Sequence, residues 1–254
     1  YMERLVGGET DKPCPSCASD SWRDSSQKRD FIRLRQVIAV TDARRARIGD
    51  DSDEREIRIF DRSLFPSFAK DAVEEAYSLA DAPLPFGFEY IRQCNFREVN
   101  FGEPREGQGL FRAAGRDARG GGFQICHHCG KIQGIRRRRG EPNHKPRCPA
   151  KDSDDTDDFL KIAYLYREFP SEAIRILMPI SALDADKGVQ SFISGLNLGL
   201  RLHFEGKVDH LRMAMLEANE GLITRRYLYL YDSVPGGTGY LKQLMTKPED
   251  FRAI

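Results

Sequence analysis

What this chain lacks narrows its function first. No apolar run approaches the roughly 18 residues that a membrane-spanning helix needs, so no spanning segment and no membrane partner are expected. The opening, YMERLVGGET, has no apolar stretch of the kind that directs secretion. Charge of one sign is not in excess: 40 Lys and Arg stand against 39 Asp and Glu, for a net charge of +1. That balance excludes a globally basic nucleic-acid coat but leaves room for a local basic groove. The usual signatures of covalent, hydrolytic and nucleotide chemistry are missing as well. There is no G-x-S-x-G turn, no H-E-x-x-H helix, no G-x-x-x-x-G-K-[ST] phosphate loop and no complete dinucleotide fingerprint.

What is present suffices for a folded protein. The hydrophobic share is 40% over 254 residues, which supports a real core and argues against disorder. At about 150 residues per domain the length suits one large domain or two smaller ones. The chain opens on Tyr1 and stops in KPEDFRAI, which reads as the inside of a helix, so a piece of a longer protein is expected.

Four of the six cysteines fall in two C-x-x-C knuckles, CPSC at Cys14 and Cys17 and CHHC at Cys126 and Cys129. A chain of this length does not need disulfide staples, so the pairs point to metal binding and a reducing cytoplasm. Cys126 and Cys129, fourteen residues, then His144 and Cys148 give a C-x-x-C…H-x-x-x-C set. Zinc takes four soft or borderline ligands in a tetrahedron, and this spacing supplies them from two tight turns. Free buried thiols with surface histidines are the alternative. His127 and His128, inside the knuckle, are expected to point outward. The Cys14 pair lacks two partners. It reads as half of a zinc ribbon completed upstream of Tyr1, and a site shared with the Cys126 knuckle is a second option. Cys94, within a strand-like run, reads as a free core thiol. With four protein ligands and no hydrolase pattern, the zinc is expected to be structural.

The segments read as follows. Residues 1–30 hold the partial zinc ribbon. Residues 31–122 form the first α/β part, with strands at 31–40, 55–61 and 86–102 and a helix over 66–81, where Pro66 suits the first turn and Ala69, Ala72, Val73 and Ala76 give a helical stripe. Residues 102–122, rich in Gly and Arg, read as a mobile loop. Residues 123–150 are the zinc-binding insertion. Residues 151–254 are the second α/β part: two strand-like runs at 159–169 and 172–180, a helix at 191–206 with Phe192, Ile193, Leu196, Leu198, Leu200 and Phe204 mostly inward, two more strands, then a glycine turn opening a helix. The fold class is α/β, a mixed sheet with flanking helices and a small zinc-knuckle insertion.

Arg136, Arg137, Arg138 and Arg139 are consecutive and lie inside the presumed zinc loop. The planar guanidinium pairs with phosphate through two parallel hydrogen bonds, so a DNA-backbone contact is one reading. A solvated charge run, or pairing with the acidic stretch 152–158, is the other. In the turn Asp232-Ser-Val-Pro235-Gly236-Gly237-Thr-Gly239 the glycines free backbone amides to face an anion. A tight strand-to-helix turn without a ligand is the more economical reading.

YLYDSVPGGTGYLKQL resembles the D-x-x-P-G-G-x-G signature of the MrfA-type zinc-binding domain, found at the C-terminus of certain DEAD/DEAH-box helicases of superfamily 2. The wider pattern is similar to large anti-phage helicases of the Druantia type and to the helicase-partner subunit of DISARM. It runs through CPSCASDSW, RIGDDSDEREIRIF, FREVNFGE, GFQICHHCGKIQ, HKPRCPA, LYREFPSEAIRILMP and SFISGLNLGLRLHFEG. The resemblance marks Asp51, Asp53, Glu54, Arg55, Glu98, Asn100, Glu172, Asp232, Pro235, Gly236, Gly237 and Gly239 as motif positions without assigning them a role. It implies a non-catalytic accessory domain that helps guide or clamp DNA beside helicase motor domains of the same or a partner chain, in anti-phage defence or DNA repair, with other defence-system subunits as further partners. In similar helicases another cysteine cluster follows the glycine-turn helix. Here the sequence given stops at Ile254, so that cluster is not carried over. Two other functions are kept open: a protein-docking module, and a metal-dependent nuclease using Glu98, Glu172 and Asp232.

Overall fold

The computed structural model describes residues 30–34, 60–79, 86–102, 109–113, 116–133, 144–151, 160–178, 186–220, 223–247, 250–251 and 254. Among these are ten strands: β1 (Asp30–Arg33), β2 (Arg62–Ser67), β3 (Val73–Leu79), β4 (Phe86–Asn100), β5 (Phe111–Ala113), β6 (Arg116–Ala118), β7 (Phe123–Cys126), β8 (Leu160–Leu177), β9 (Leu211–Glu220) and β10 (Ile223–Asp232). The two helices are α1 (Asp186–His203) and α2 (Tyr240–Thr246). Eight strands form one mixed, largely antiparallel sheet with the path β2-β4-β8-β10-β9. β3 pairs with β4, and both β1 and β7 pair with β8, β1 in parallel. β5 and β6 form a separate two-stranded ribbon.

The chain divides into two compact units. Unit 1 comprises Tyr1–Arg62, Val99–Phe111 and Ala118–Arg167; unit 2 comprises Ser63–Glu98, Arg112–Asp117 and Glu168–Ile254. Unit 2 is built by alternation. In β10, Leu228 and Leu230 face one side and join Ile174 and Ile176 of β8, Leu196 and Leu200 of α1, and Leu241 and Leu244 of α2 in a core. Tyr227 and Tyr229 face the other side, where they pack with Ile91, Cys94, Phe96 and Ala173. Every second residue of these strands is therefore apolar for a different partner, which is why the runs look continuously hydrophobic. Unit 1 has a smaller core of Phe123, Ile125, Ala163 and Leu165.

Several elements differ from what their sequence suggests. The helix expected over 66–81 is not formed by its described residues, 66–79: Pro66 lies in β2, a short 3-10 turn spans Lys70–Ala72, and Val73–Leu79 is a strand. The apparent helical stripe rests on small alanines, which bury little area. Antiparallel pairing with the long β4, from Val73 opposite Ile91 to Leu79 opposite Phe86, prevails over it. Pro66 is tolerated because β2 ends the sheet path, where a missing donor costs little.

The runs on either side of Pro170 form one strand, β8. Pro170 falls between the stretch paired with β1, ending at Tyr166, and the stretch paired with β10, starting at Ala173. Its carbonyl accepts from Gly236 N at 2.8 Å. The Gly-rich segment is partly built into the fold. It contributes β5 and β6, and Ala118, Gly120 and Gly122 are buried. Gly102 bridges Gly122, and a Cβ on Gly102 would sit 2.7 Å from the Gly122 carbonyl carbon. Leu196 and Leu200 on α1, and Phe204 in the turn just after it, face inward as expected, but Phe192 and Leu198 are exposed.

Candidate metal centre

β7 delivers Cys126 at its end, and the chain then turns back on itself. Gly130 N donates to Cys126 O at 2.8 Å, Cys126 N to Lys131 O at 3.0 Å and Gln133 N to Gln124 O at 2.8 Å. Gly130, with φ +70°, allows this reversal. The second pair of ligands sits on another tight turn, in which Cys148 N donates to Lys145 O and Lys151 N to Cys148 O, both at 3.0 Å.

The two turns bring one atom from each of Cys126, Cys129, His144 and Cys148 within 4.8 Å of one another. Cys126 Sγ lies 3.7 Å from Cys148 Sγ. His144 Nδ1 lies 3.6 Å from Cys129 Sγ and 3.5 Å from Cys148 Sγ. A tetrahedral ion with metal–sulfur bonds of about 2.3 Å has sulfur–sulfur edges of about 3.8 Å and slightly shorter sulfur–nitrogen edges, so this set could hold a metal ion. All three thiols are free of disulfides. Cys126, Cys148 and Ala150 are buried together, with Cys129 packed against them. His144 Nε2 is buried and has no hydrogen-bond partner among the described residues. Nδ1, facing the sulfurs, is the nitrogen that would ligate a metal held there. His127 and His128 are exposed, as expected, and rest against each other with ring centroids 4.3 Å apart.

The thiols are not equivalent. Desolvation acts to raise the Cys129 pKa, but hydrogen bonds from the Lys145 and Lys131 backbone, His144 and Cys126 outweigh it and bring it to about 6. For Cys148, desolvation and the neighbouring Cys126 and Cys129 win, and its pKa is raised despite the Ala150 amide. Thiolate ligands are the species a metal binds, so the Cys129 side of the cluster is the better prepared.

The glycine turn after β10 is folded over two buried carboxylates. Asp232 is fully buried: Oδ1 accepts from Val234 N at 2.8 Å, and Oδ2 accepts from Thr238 N at 2.7 Å and from the Thr238 hydroxyl. Thr238 Oγ1 lies 3.0 Å from His210 Nε2. Since the hydroxyl proton goes to the carboxylate, His210 Nε2 is the donor in that contact. Glu172 accepts from Gly239 N at 2.8 Å and from the Tyr90 hydroxyl at 2.9 Å. Gly237, with φ +77°, lies so close that a Cβ would meet Glu172 Cγ at 2.7 Å. Pro235 is exposed, and Gly236 and Gly239 have φ +91° and +83°.

The structure thus joins Glu172 and Asp232 through one turn. Thr238 is part of the same signature, whereas His210 and Tyr90 carry no local sequence signal for this role. Elsewhere, Glu98 is half-buried on β4, and Asn100 Oδ1 accepts from Gly102 N at 3.0 Å. Cys14, Cys17, Asp51, Asp53, Glu54, Arg55 and Arg136–Arg139 lie outside the described residues. No helix among the described residues is long and apolar enough to cross a membrane. The chain matches no family model, no curated protein and no solved structure.

Proposed function

We propose that this chain is a zinc-stabilised, non-catalytic accessory domain that helps guide or clamp DNA beside the motor of a cytoplasmic superfamily 2 helicase serving anti-phage defence or DNA repair. The observation that carries the reading is the four-ligand cluster together with the loop it would close. Cys129 and His144 bracket fourteen residues, and Arg136–Arg139 stand among them. Three thiols and one imidazole suit zinc better than a hard cation, and four protein ligands leave no open position for substrate. Zinc held there supplies rigidity, fixing both ends of an arginine-bearing loop; the arginines supply the phosphate contact. The resemblance of the glycine-turn segment to MrfA-type domains supplies the helicase context.

The glycine turn fits a supporting role. Its backbone amides go to Asp232 and Glu172, which argues against an anion site, and the burial of both carboxylates disfavours the nuclease reading. Protein docking is the second reading, favoured by the outward Leu198 and Leu202 of α1, which are 59% and 73% exposed.

Two measurements test the proposal. Elemental analysis is expected to find zinc that is lost on Cys126→Ser. Replacing Arg136–Arg139 with serine is expected to weaken binding of any DNA sequence and to reduce the salt slope by about one for each phosphate no longer neutralised. Unchanged affinity and slope would rule out the DNA role of the loop.

A further inference from the structure

The two turns of the metal centre carry charge of one sign. Residues 123–133 and 144–151 hold Lys131, Lys145, Arg147 and Lys151 but no Asp or Glu, in a chain whose 40 cations and 39 carboxylates nearly cancel. All four side chains are exposed, and no ion pair involves any of them among the described residues. Their positions follow from the ligands. Lys131 stands two residues after Cys129, Lys145 and Arg147 lie between His144 and Cys148, and Lys151 ends the short 3-10 turn Pro149–Lys151. Cys129 takes hydrogen bonds from both the Lys131 and the Lys145 backbone, so the two turns bring their lysines to one sulfur. The ligand cluster does not use the four cationic side chains.

We propose that this knuckle surface binds the phosphate backbone of duplex DNA, without regard to sequence, through Lys131, Lys145, Arg147 and Lys151. The inference deepens the DNA reading above and rests on it, but it places the contact on the metal-binding turns themselves rather than on the arginines between them. Three features carry it. Like charges gathered on two adjoining turns repel one another, and a polyanion relieves that repulsion. A duplex carries one negative charge per about 1.7 Å of its axis, the densest complement to such a group. Three thiolates and a divalent ion would sum to −1, too little to cancel four cations. Finally, Phe123 is the one Phe, Tyr or Trp in these two stretches, and it is buried in the small core. Unpaired bases therefore find no such ring to stack on, and contact to the backbone is what the surface offers.

The test is fluorescence anisotropy of the whole chain, over a range of salt concentrations, with two labelled duplexes of unrelated sequence and with a single strand of equal length. Both duplexes are expected to bind alike, and the single strand more weakly and with a shallower salt dependence. The double variant Lys131→Gln with Lys145→Gln keeps both backbone amides. It is expected to bind duplex about tenfold or more weakly in 0.1 M salt and to reduce the slope of log K against log salt by about two. Lys131→Arg with Lys145→Arg is expected to retain both affinity and slope. If the glutamine variant does not fold by circular dichroism, Arg147→Gln and Lys151→Gln decide, each with a slope reduced by about one.

No duplex binding by the wild type, or a folded glutamine variant with unchanged affinity and slope, overturns the proposal. Binding to vesicles of phosphatidylserine and phosphatidylcholine without binding to duplex overturns it too. The readings fail separately. Loss of duplex binding in the Arg136–Arg139 variant with no effect of the lysine substitutions keeps the arginine loop and removes the knuckle surface. The reverse result keeps the knuckle surface and removes the loop. Elemental analysis that finds no zinc in a chain whose duplex binding still depends on the lysines removes the zinc reading and keeps this surface.

Discussion

Cys94 and Cys129 are the same residue type with pKa values moved in opposite directions. Burial pushes the Cys94 thiol up to about 12, and the Ser67 backbone and Arg175 recover only part of that shift. Tyr229, in the same cluster, is pushed to about 12 by burial, with Arg175 opposing. Both are neutral in the fold, while the unfolded chain releases these protons near 9 and 10. Above pH 9 the unfolded state binds fewer protons than the folded one, so stability is full below pH 9 and declines up to about pH 12. The slope is about 1.4 kcal/mol per pH unit for each group. Urea midpoints measured from pH 8 to 11 are expected to fall, and to fall less steeply in Cys94→Ala. A flat profile would show that thiol and phenol ionise inside the fold. Ligand spacing and the placement of Cys94 in an apolar strand were both legible in the sequence, because each is a local pattern. The recruitment of His210 and Tyr90 to the carboxylates of the glycine turn was not. His210 lies 22 residues before Asp232 and Tyr90 lies 82 before Glu172, and only folding brings them together.

Elements were legible where pattern and burial agreed. β10 and the buried stripe of α1 follow from alternation and from helical spacing. Residues 66–81 misled because a weak alanine stripe gave no warning of a fifteen-residue strand, β4, waiting to pair with them. Pro170 suggested a break in β8, and only the change of neighbours along the strand explains why none occurs. The glycine turn allows a test of element-scale strain. Gly237→Ala must fit a Cβ against Glu172 at positive φ, whereas at Gly239 the same substitution meets only the φ penalty, with open space around it. Backbone strain of this kind costs about 1–3 kcal/mol. Thermal melts are expected to rank wild type above Gly239→Ala, and Gly239→Ala above Gly237→Ala. Equal melting of the two variants would show that Glu172 is not packed against the turn.

At the scale of the whole molecule, α/β architecture with a knuckle insertion was legible, while the extent of the sheet was not, since strand pairing is non-local. A metal ion held by the Cys126, Cys129, His144 and Cys148 cluster would tie stability to a ligand: an ion present at a hundred times its Kd would add about 2.7 kcal/mol. A chelator is therefore expected to lower the melting temperature of the wild type and to leave Cys126→Ser unaffected. Neither unit is a continuous stretch of polypeptide. Unit 1 draws on three stretches, the last ending at Arg167, and unit 2 on three others, the last beginning at Glu168. During synthesis unit 1 cannot close until Arg167 has left the ribosome, and by then two of the three stretches of unit 2 have already emerged without their third. Any single genetic crossover between residues 63 and 167 would split both units at once, so the two must be inherited together.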